Sequence, residues 1–411
     1  MGVKRKSRDK ELASKSDKTT PQDHEPPRYG YHNQSINTPS INQLINHRPL
    51  ITHHNSRSDG RRSTLSIAVA ASCIENTQNL QLASILAGQI ARAAAVFNID
   101  EVIVLDDVTP PHHKHTTISP AAALFARILQ FMETPQYLKK ALIPMHPDLK
   151  FAGILPPLDA PHHLRSTEWG EFREGLVVDS HPTHGSLLDV GLSTRAHIPY
   201  TAPINCRLTL RMGQEPTYKT HVWFSKNNEQ VLQVQLVPSQ SPRQEYGLYW
   251  GYLTRIAPTI ESMLKDCPFN GGGGGKAEDE EDDEKKKKKK KSSKSKKGTA
   301  TNSRSSSGYD LVVGTSERGE TTPASQLNLR SRTASLDEGG GRERYGHGLV
   351  VFGGPQGLEH ALANDPWKEK YDDPSKWCDR YVNTCFDQGS RTIRTEEAVL
   401  ISLAFLKEAL A

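Results

Sequence analysis

Tyr381-Val-Asn-Thr-Cys-Phe-Asp-Gln-Gly-Ser-Arg-Thr-Ile-Arg-Thr-Glu-Glu-Ala398 is the stretch from which the fold is read. It opens as a short apolar strand and runs through a polar loop, Asn383 to Thr395, with a donor on nearly every residue. It ends at a helix start. Thr395 is a candidate cap, Glu396 and Glu397 complement the dipole of the first turn, and Val399 to Leu410 supplies the apolar positions. A loop dense in Asn, Gln, Gly, Ser, Thr and Arg between strand and helix is where α/β proteins bind ligands. The same residues also suit a surface connection that only satisfies its own backbone.

At 411 residues the chain is long enough for two or three domains. Only 35% of it is hydrophobic, with 30 glycines and 26 prolines, and the polar excess is local, so part of the chain is expected to be disordered. Residues 1–62 carry a net charge of +6 and residues 276–308 a net +5, which leaves −6 on the remainder of the +5 total. Attraction to nucleic acid is therefore concentrated in those two segments or in a local patch of the rest. Cys73, Cys206, Cys267, Cys378 and Cys385 are odd in number and form no CxxC pair, which argues against a disulfide framework or a zinc ribbon. No apolar stretch follows the N-terminal Met-Gly-Val-Lys-Arg-Lys, so no secretory signal is expected. The longest apolar run, Val399 to Leu406, is too short to span a bilayer.

Residues 1–62, rich in Ser, Asn, Pro, His and Lys, read as a disordered basic arm. Lys4-Arg5-Lys6 suits nuclear import or RNA contact as well as a merely solvated end. Leu65–Ala71 and Glu101–Leu105 read as buried strands flanking a helix over Leu80–Phe97, a βαβ unit that predicts a parallel sheet. Asp106-Asp107 at the second strand's end is a catalytic candidate or a polar strand exit. Ala121–Met132 and Tyr137–Ile143 are further helices. His112, His113 and His115, His162/His163 and His181/His184 lack the spacing and acidic partners of a metal site and read as surface histidines.

From about Phe172 the period changes. Gly175–Val178, Gly185–Val190, Ile204–Arg211, Lys219–Phe224 and Val231–Val237 predict five short strands, a small antiparallel barrel of OB type inserted in the α/β body. Tyr218, Lys219, His221, Trp223 and Lys226 suit a nucleic-acid face or, equally, a packing barrel with a core Trp. Tyr246–Ile256 is expected to return as a strand, followed by a helix ending near Lys265. Residues 271–308, five glycines followed by acidic and lysine blocks, read as a flexible linker. Asn270 and Ala277 rule out a P-loop around Gly275-Lys276. Asp310–Gly319 and Gly348–Glu359 are two more strands, each running into a Gly-bearing loop. Gly353, Gly354 and Gly357 do not fit G-x-G-x-x-G, against a simple dinucleotide fold.

Three donor-rich loops result: Gly314-Thr-Ser-Glu-Arg-Gly319, Val350-Val-Phe-Gly-Gly354 with Gly357-Leu-Glu359, and Asn383-Thr-Cys385 with Gln388-Gly-Ser-Arg-Thr-Ile-Arg-Thr-Glu-Glu397. Together they resemble the SPOUT methyltransferases, the knotted α/β class. More narrowly, they resemble its eukaryotic and archaeal branch of RNA methyltransferases with an inserted OB-like domain. Leu86-Ala-Gly-Gln-Ile-Ala-Arg92, Arg127-Ile-Leu-Gln130, Thr134-Pro-Gln-Tyr-Leu138, Pro161-His-His163, Phe172-Arg-Glu-Gly175 and Gly247-Leu-Tyr-Trp-Gly251 match as well, so the likeness covers about 64–269 and 309–411. Phe386-Asp387 stands where a Pro-Gly-like pair is expected.

The resemblance implies a trefoil-knotted α/β domain in three pieces, 63–165, 246–270 and 309–411, with the OB-like insertion at 166–245 and the linker at 271–308. It implies homodimerisation through the knot, no metal, and a bent S-adenosylmethionine. Thr315, Ser316, Gly353, Gly354, Gly357, Asn383, Gln388, Gly389, Ser390, Thr392 and Ile393 would hold that cofactor. Arg318, Arg391 and Arg394 are candidates to hold an RNA phosphate or an anionic base, and Glu317 is a candidate proton acceptor. Each Arg also suits an ordinary ion pair. The expected activity is base methylation, of uridine by preference, in ribosomal or other structured RNA, in the nucleus or nucleolus with the cytoplasm as alternative. A competing expectation is an RNA-, ribosome- or spindle-associated scaffold that keeps the fold for binding.

Overall fold

A computed structural model describes residues 60–110, 113, 117–213, 220–224, 227–269, 308–327, 329 and 345–410, with the backbone alone for 220–224 and 227–229. The arm before residue 60 and the linker over 270–307 lie outside the described residues. The strands are β1 (Thr64–Ala70), β2 (Glu101–Leu105), β3 (Phe172–His181), β4 (Gly185–Asp189), β5 (Ala196–Ile198), β6 (Arg207–Arg211), β7 (Thr220–Phe224), β8 (Asn227–Gln233), β9 (Gln235–Val237), β10 (Leu253–Ala257), β11 (Leu311–Glu320), β12 (His347–Phe352) and β13 (Arg380–Val382). The helices are α1 (Ser72–Glu75), α2 (Leu80–Val96), α3 (Pro120–Glu133), α4 (Gln136–Leu142), α5 (Ser241–Tyr246), α6 (Ile260–Lys265), α7 (Gly357–Ala363) and α8 (Thr395–Leu410).

Six strands form one sheet in the order β10-β2-β1-β12-β11-β13, parallel at every pairing, as the βαβ reading predicts. Its strands are near-continuous apolar runs because both faces are covered. Ile67, Val69, Val102, Val104, Val313, Val350 and Phe352 pack into one cluster with α2, α3 and α8. Their alternating neighbours Ala68, Ile103, Leu105, Val312, Leu349 and Val351 pack into the other with α6 and α7. β13 lies at the sheet edge beyond β11, yet α8, which follows it, crosses back to pack against α2.

The second sheet, β7-β8-β5-β4-β3-β6-β9, is drawn entirely from the segment between β2 and β10. It departs from the expected five antiparallel strands: there are seven, β5 pairs with β8 in parallel, and the expected strand Val231–Val237 breaks at Val234 into β8 and β9. The strand expected over Tyr246–Ile256 shrinks to β10. Gly247 (φ +65°) and Gly251 (φ +85°) turn the chain in left-handed conformations that no strand can hold. Residues 60–62, read as the end of the arm, are tied down: Arg61 donates to both Asp100 carboxylate oxygens at 2.6 and 2.7 Å, and its backbone N–H to Arg243 at 2.9 Å.

Candidate functional site

The carboxyl ends of β11, β12 and β13 lie side by side, with Thr315 in register with Phe352 on one flank and Val382 on the other. Thr315 donates its hydroxyl across to the Val351 carbonyl at 3.0 Å. Gly314–Gly319, expected as a loop, is instead the outer half of β11, because Glu320 still pairs with Val382 across a register shift. The loops after β12 and β13 leave the sheet on either side of it, the usual position for a ligand site in an open parallel sheet.

Glycine is required here by close approach. A Cβ on Gly353 would overlap the Gly357 carbonyl carbon and come within 2.5 Å of the Leu358 nitrogen. Gly357 itself sits at φ +79°, and its N–H closes a turn onto the Gly354 carbonyl at 2.9 Å. Gly354 abuts the Ser72 hydroxyl so closely that any side chain would displace it. Ser72 is held in turn by Asp107, which accepts from its N–H at 2.8 Å and its hydroxyl at 2.6 Å. The end of β2 thus buttresses the loop after β12.

The acidic pair at the end of β2 divides its work. Asp106 accepts from the Thr109 and Ser119 N–H groups and the Thr109 hydroxyl. Against the desolvation of its burial, these donors lower its pKa. These bonds tie Thr109 and Ser119 to the end of β2. Beside Ser72, burial pushes the Cys73 thiol well up, with the Asp107 and Glu396 carboxylates adding to it, so Cys73 is an inert core residue.

Asn383 binds two of the loops together: its Nδ2 donates to the Glu317 carbonyl at 3.0 Å and its Oδ1 accepts from the Cys385 N–H at 3.0 Å. Thr384 bonds the Ser402 hydroxyl of α8 at 2.6 Å. Beyond them the loop turns on Asp387, a non-glycine residue at φ +62°, in the place of the Pro-Gly-like pair. From Gln388 to Thr392 its side chains bond within the loop: Gln388 donates to the Ser390 carbonyl at 3.0 Å and Ser390 to the Thr392 carbonyl at 2.8 Å. Gly389 is exposed, and a Cβ there would meet nothing within 4 Å. Thr395 is the first residue of α8 and not a cap before it. Glu397 instead reaches back to accept the Arg394 N–H at 2.9 Å, half of a capping box.

Arg318, Arg391 and Arg394 are exposed, as is Glu317, which serves Asn383 through its backbone. Arg318 has one acid nearby, Glu359, at 3.6 Å. Glu359 also accepts from the Tyr381 hydroxyl at 3.2 Å. Burial pushes the Tyr381 phenol up, with Ser316 working against it and Glu359 with it, so it stays a donor. Ser72, Glu359 and Tyr381 were not singled out individually as site residues from the sequence, whereas Asp107 was, as half of the acidic pair read as a catalytic candidate or a polar strand exit. Only Glu359's place in a Gly-bearing loop hinted at the other three.

The site fits a sulfonium cofactor. Two glycines that admit no Cβ let the turn after β12 pack against α7 and Ser72, and the exposed loop after β13 presents amide and hydroxyl groups. Glu396 Oε2, at the start of α8, is buried without a hydrogen-bond partner. Elsewhere, His162, expected at the surface, is fully buried, and it and the half-buried His163 both donate to the Glu133 carbonyl, at 2.9 and 2.7 Å. The His181 and His184 rings lie 4.7 Å apart. Among the described residues no group of three or more His, Cys, Asp or Glu is placed to hold a metal, and no helix is long and apolar enough to cross a membrane. His112, His115, Tyr218, Lys219 and Lys226 lie outside the described residues, as do the side chains of His221 and Trp223.

The family described as "Putative RNA methyltransferase" matches the chain over residues 64–302 and 291–406. The chain is 40% identical over 360 residues to the human 28S rRNA (uridine-N(3))-methyltransferase, covering 85% of this chain and 80% of that one. It is 38% identical over 363 residues to the enzyme of the same name from Drosophila melanogaster, covering 85% and 62%. It is 27% identical over 363 residues to a Caenorhabditis elegans protein named "Putative methyltransferase spot-1", covering 83% and 79%.

Proposed function

The chain belongs to the family described as "Putative RNA methyltransferase", and we propose that it transfers a methyl group from S-adenosylmethionine to N3 of a uridine in large-subunit ribosomal RNA. The observation that carries this reading is the 40% identity to the human uridine-N3 enzyme over most of both chains. The donor-rich ends of β11, β12 and β13, which lie side by side, support it, since a scaffold has no need of so many aligned donors.

Thr315, Ser316, Gly353, Gly354, Gly357, Asn383, Gln388, Gly389, Ser390, Thr392 and Ile393 are the residues we assign to the cofactor. When bound, it supplies a methyl carbon activated by a sulfonium. The chain's own task is to hold the uracil in line and to help N3 lose its proton. Arg318, Arg391 and Arg394 suit an RNA phosphate or the imide anion, whose charge spreads over O2 and O4. Glu317, exposed on β11, is the acceptor we assign from this strand. We further take 63–165, 246–270 and 309–411 as one body carrying 166–245 as an OB-like insertion. The return of α8 from the sheet edge to α2 supports a knotted C-terminus; from the family resemblance we add a homodimer formed through it, and from the rRNA-directed relatives ribosomal RNA in the nucleus or nucleolus as the target.

The test is calorimetric titration of S-adenosylmethionine into the full chain and into Gly389→Trp, which adds bulk in the loop without an internal clash. Methylation of large-subunit rRNA is then followed by nucleoside mass spectrometry. Saturable binding and N3-methyluridine with the wild type, both lost in the variant, are expected. A folded wild type that binds no cofactor overturns the reading.

A further inference from the structure

Glu359 stands between the ends of β11 and β13, beside the turn after β12. It belongs to the first turn of α7, behind β12. Its Oε1 accepts from Tyr381 of β13 at 3.2 Å and lies 3.6 Å from Arg318 Nη1 on β11. Room for the carboxylate comes from Gly357, where a Cβ would lie 2.5 Å from Glu359 Oε2. The next acid along the same strand, Glu320, is engaged elsewhere, 3.3 Å from Arg380. The two partners of Glu359 differ in kind. Tyr381 is half-buried and fixes the carboxylate, whereas the Arg318 side chain is 71% exposed and held beyond hydrogen-bond range. Such an exposed ion pair is weak, and a phosphate offers the guanidinium a charged bidentate partner in its place.

We propose that Glu359 is a positioning residue that parks Arg318 at the mouth of the site and yields it to an RNA phosphate. The inference rests on the RNA-directed reading above. The parked state reduces affinity for every RNA alike, since the binding-competent Arg318 is only part of the free population. Glu359 thereby lowers the occupancy of the site by any RNA without choosing among sequences.

The experiment is fluorescence anisotropy of a labelled uridine-containing hairpin from large-subunit rRNA, and of a scrambled hairpin, over a salt series with the full chain. Glu359→Gln keeps an acceptor for Tyr381 and removes the charge. It is expected to tighten both RNAs by about two- to fivefold. Arg318→Gln should weaken both and reduce the slope of log affinity against log salt by about one. In the Arg318→Gln background, Glu359→Gln should change nothing. This last arm separates parking from general relief of repulsion, which would tighten binding in either background. Unchanged affinity in Glu359→Gln, or equal tightening without Arg318, overturns the inference and leaves the RNA reading standing. A wild type that binds neither RNA overturns both.

Discussion

Arg207 of β6 closes on Glu133 at the end of α3 with two hydrogen bonds, Nη1 to Oε2 at 2.7 Å and Nη2 to Oε1 at 3.0 Å. The pair fastens the second sheet to a helix of the parallel one. Arg207 also donates through Nε to Glu174 at 2.8 Å, and Glu174 accepts from Thr209 at 2.7 Å and Trp250 at 2.6 Å. Burial works against the Glu133 charge, but Arg207 and His162 outweigh it and hold the carboxyl well below its ordinary range.

Arg207→Ala therefore strands two buried carboxylates at once. A loss of about 3 to 5 kcal/mol in urea unfolding is expected, because breaking a buried pair costs more than the pair contributes. Arg207→Lys keeps the charge without the fork and should fall between the two. If alanine costs no more than a surface substitution, the two sheets are joined by other contacts.

His163 makes the same junction sensitive to acid. Burial, with the neighbouring His162 second, pushes its pKa down from 6.5 to about 3. The unfolded chain takes up a proton below about pH 6.5 that the folded chain refuses until about pH 3. Stability is thus full above pH 6.5 and drains away as the pH falls towards 3. Between pH 7.5 and 5.5 the loss should be about 1 kcal/mol, the partial exposure of the ring keeping it below the full linkage value. Unfolding of His163→Gln across that range should show a flatter dependence, and an identical slope would remove His163 from the account.

Two glycines in adjoining loops should behave oppositely. Gly353→Ala drives a methyl group into the backbone of Gly357 and Leu358, whereas Gly389→Ala meets open space. The first should cost about 2 kcal/mol or more of stability and abolish binding of S-adenosylmethionine. The second should leave the melting temperature unchanged. Equal tolerance of both would mean that the loop after β12 moves freely away from α7.

The parallel sheet was legible because its period was. Ile67, Val102, Val313 and Val350 belong to short, continuous apolar runs of a kind that only a strand covered on both faces can bury. The second sheet was harder to read. β5 is only three residues long, with a parallel partner far along the chain at Leu232–Gln233, and no local pattern announces such a pairing. The loops after β12 and β13 were legible as donor-rich strand ends, whereas Gly314–Gly319 read as a loop and proved to be strand, because its pairing with β13 resumes at Glu320. The residues that brace these loops were not legible, because Ser72 lies far from Gly354 in sequence and Glu359 meets Tyr381 only through the sheet order.

Asp387 offers the most local test of the loop that opens this site. Its φ of +62° costs an ordinary L residue about 1 to 2 kcal/mol, less for Asp, and almost nothing for Gly. The residue is exposed, so a substitution there removes no core contact. Asp387→Val places a β-branched side chain where that backbone is least tolerated. Its cost should be felt in the ordering of the loop on a ligand more than in global unfolding. Binding of S-adenosylmethionine should weaken about tenfold in Asp387→Val, the equivalent of about 1.4 kcal/mol, with little change in melting temperature. Asp387→Gly should bind at least as well as the wild type. If valine and glycine bind alike, the turn at 387 is not part of the conformation that meets the cofactor, and the assignment of Gln388 to Ile393 fails with it.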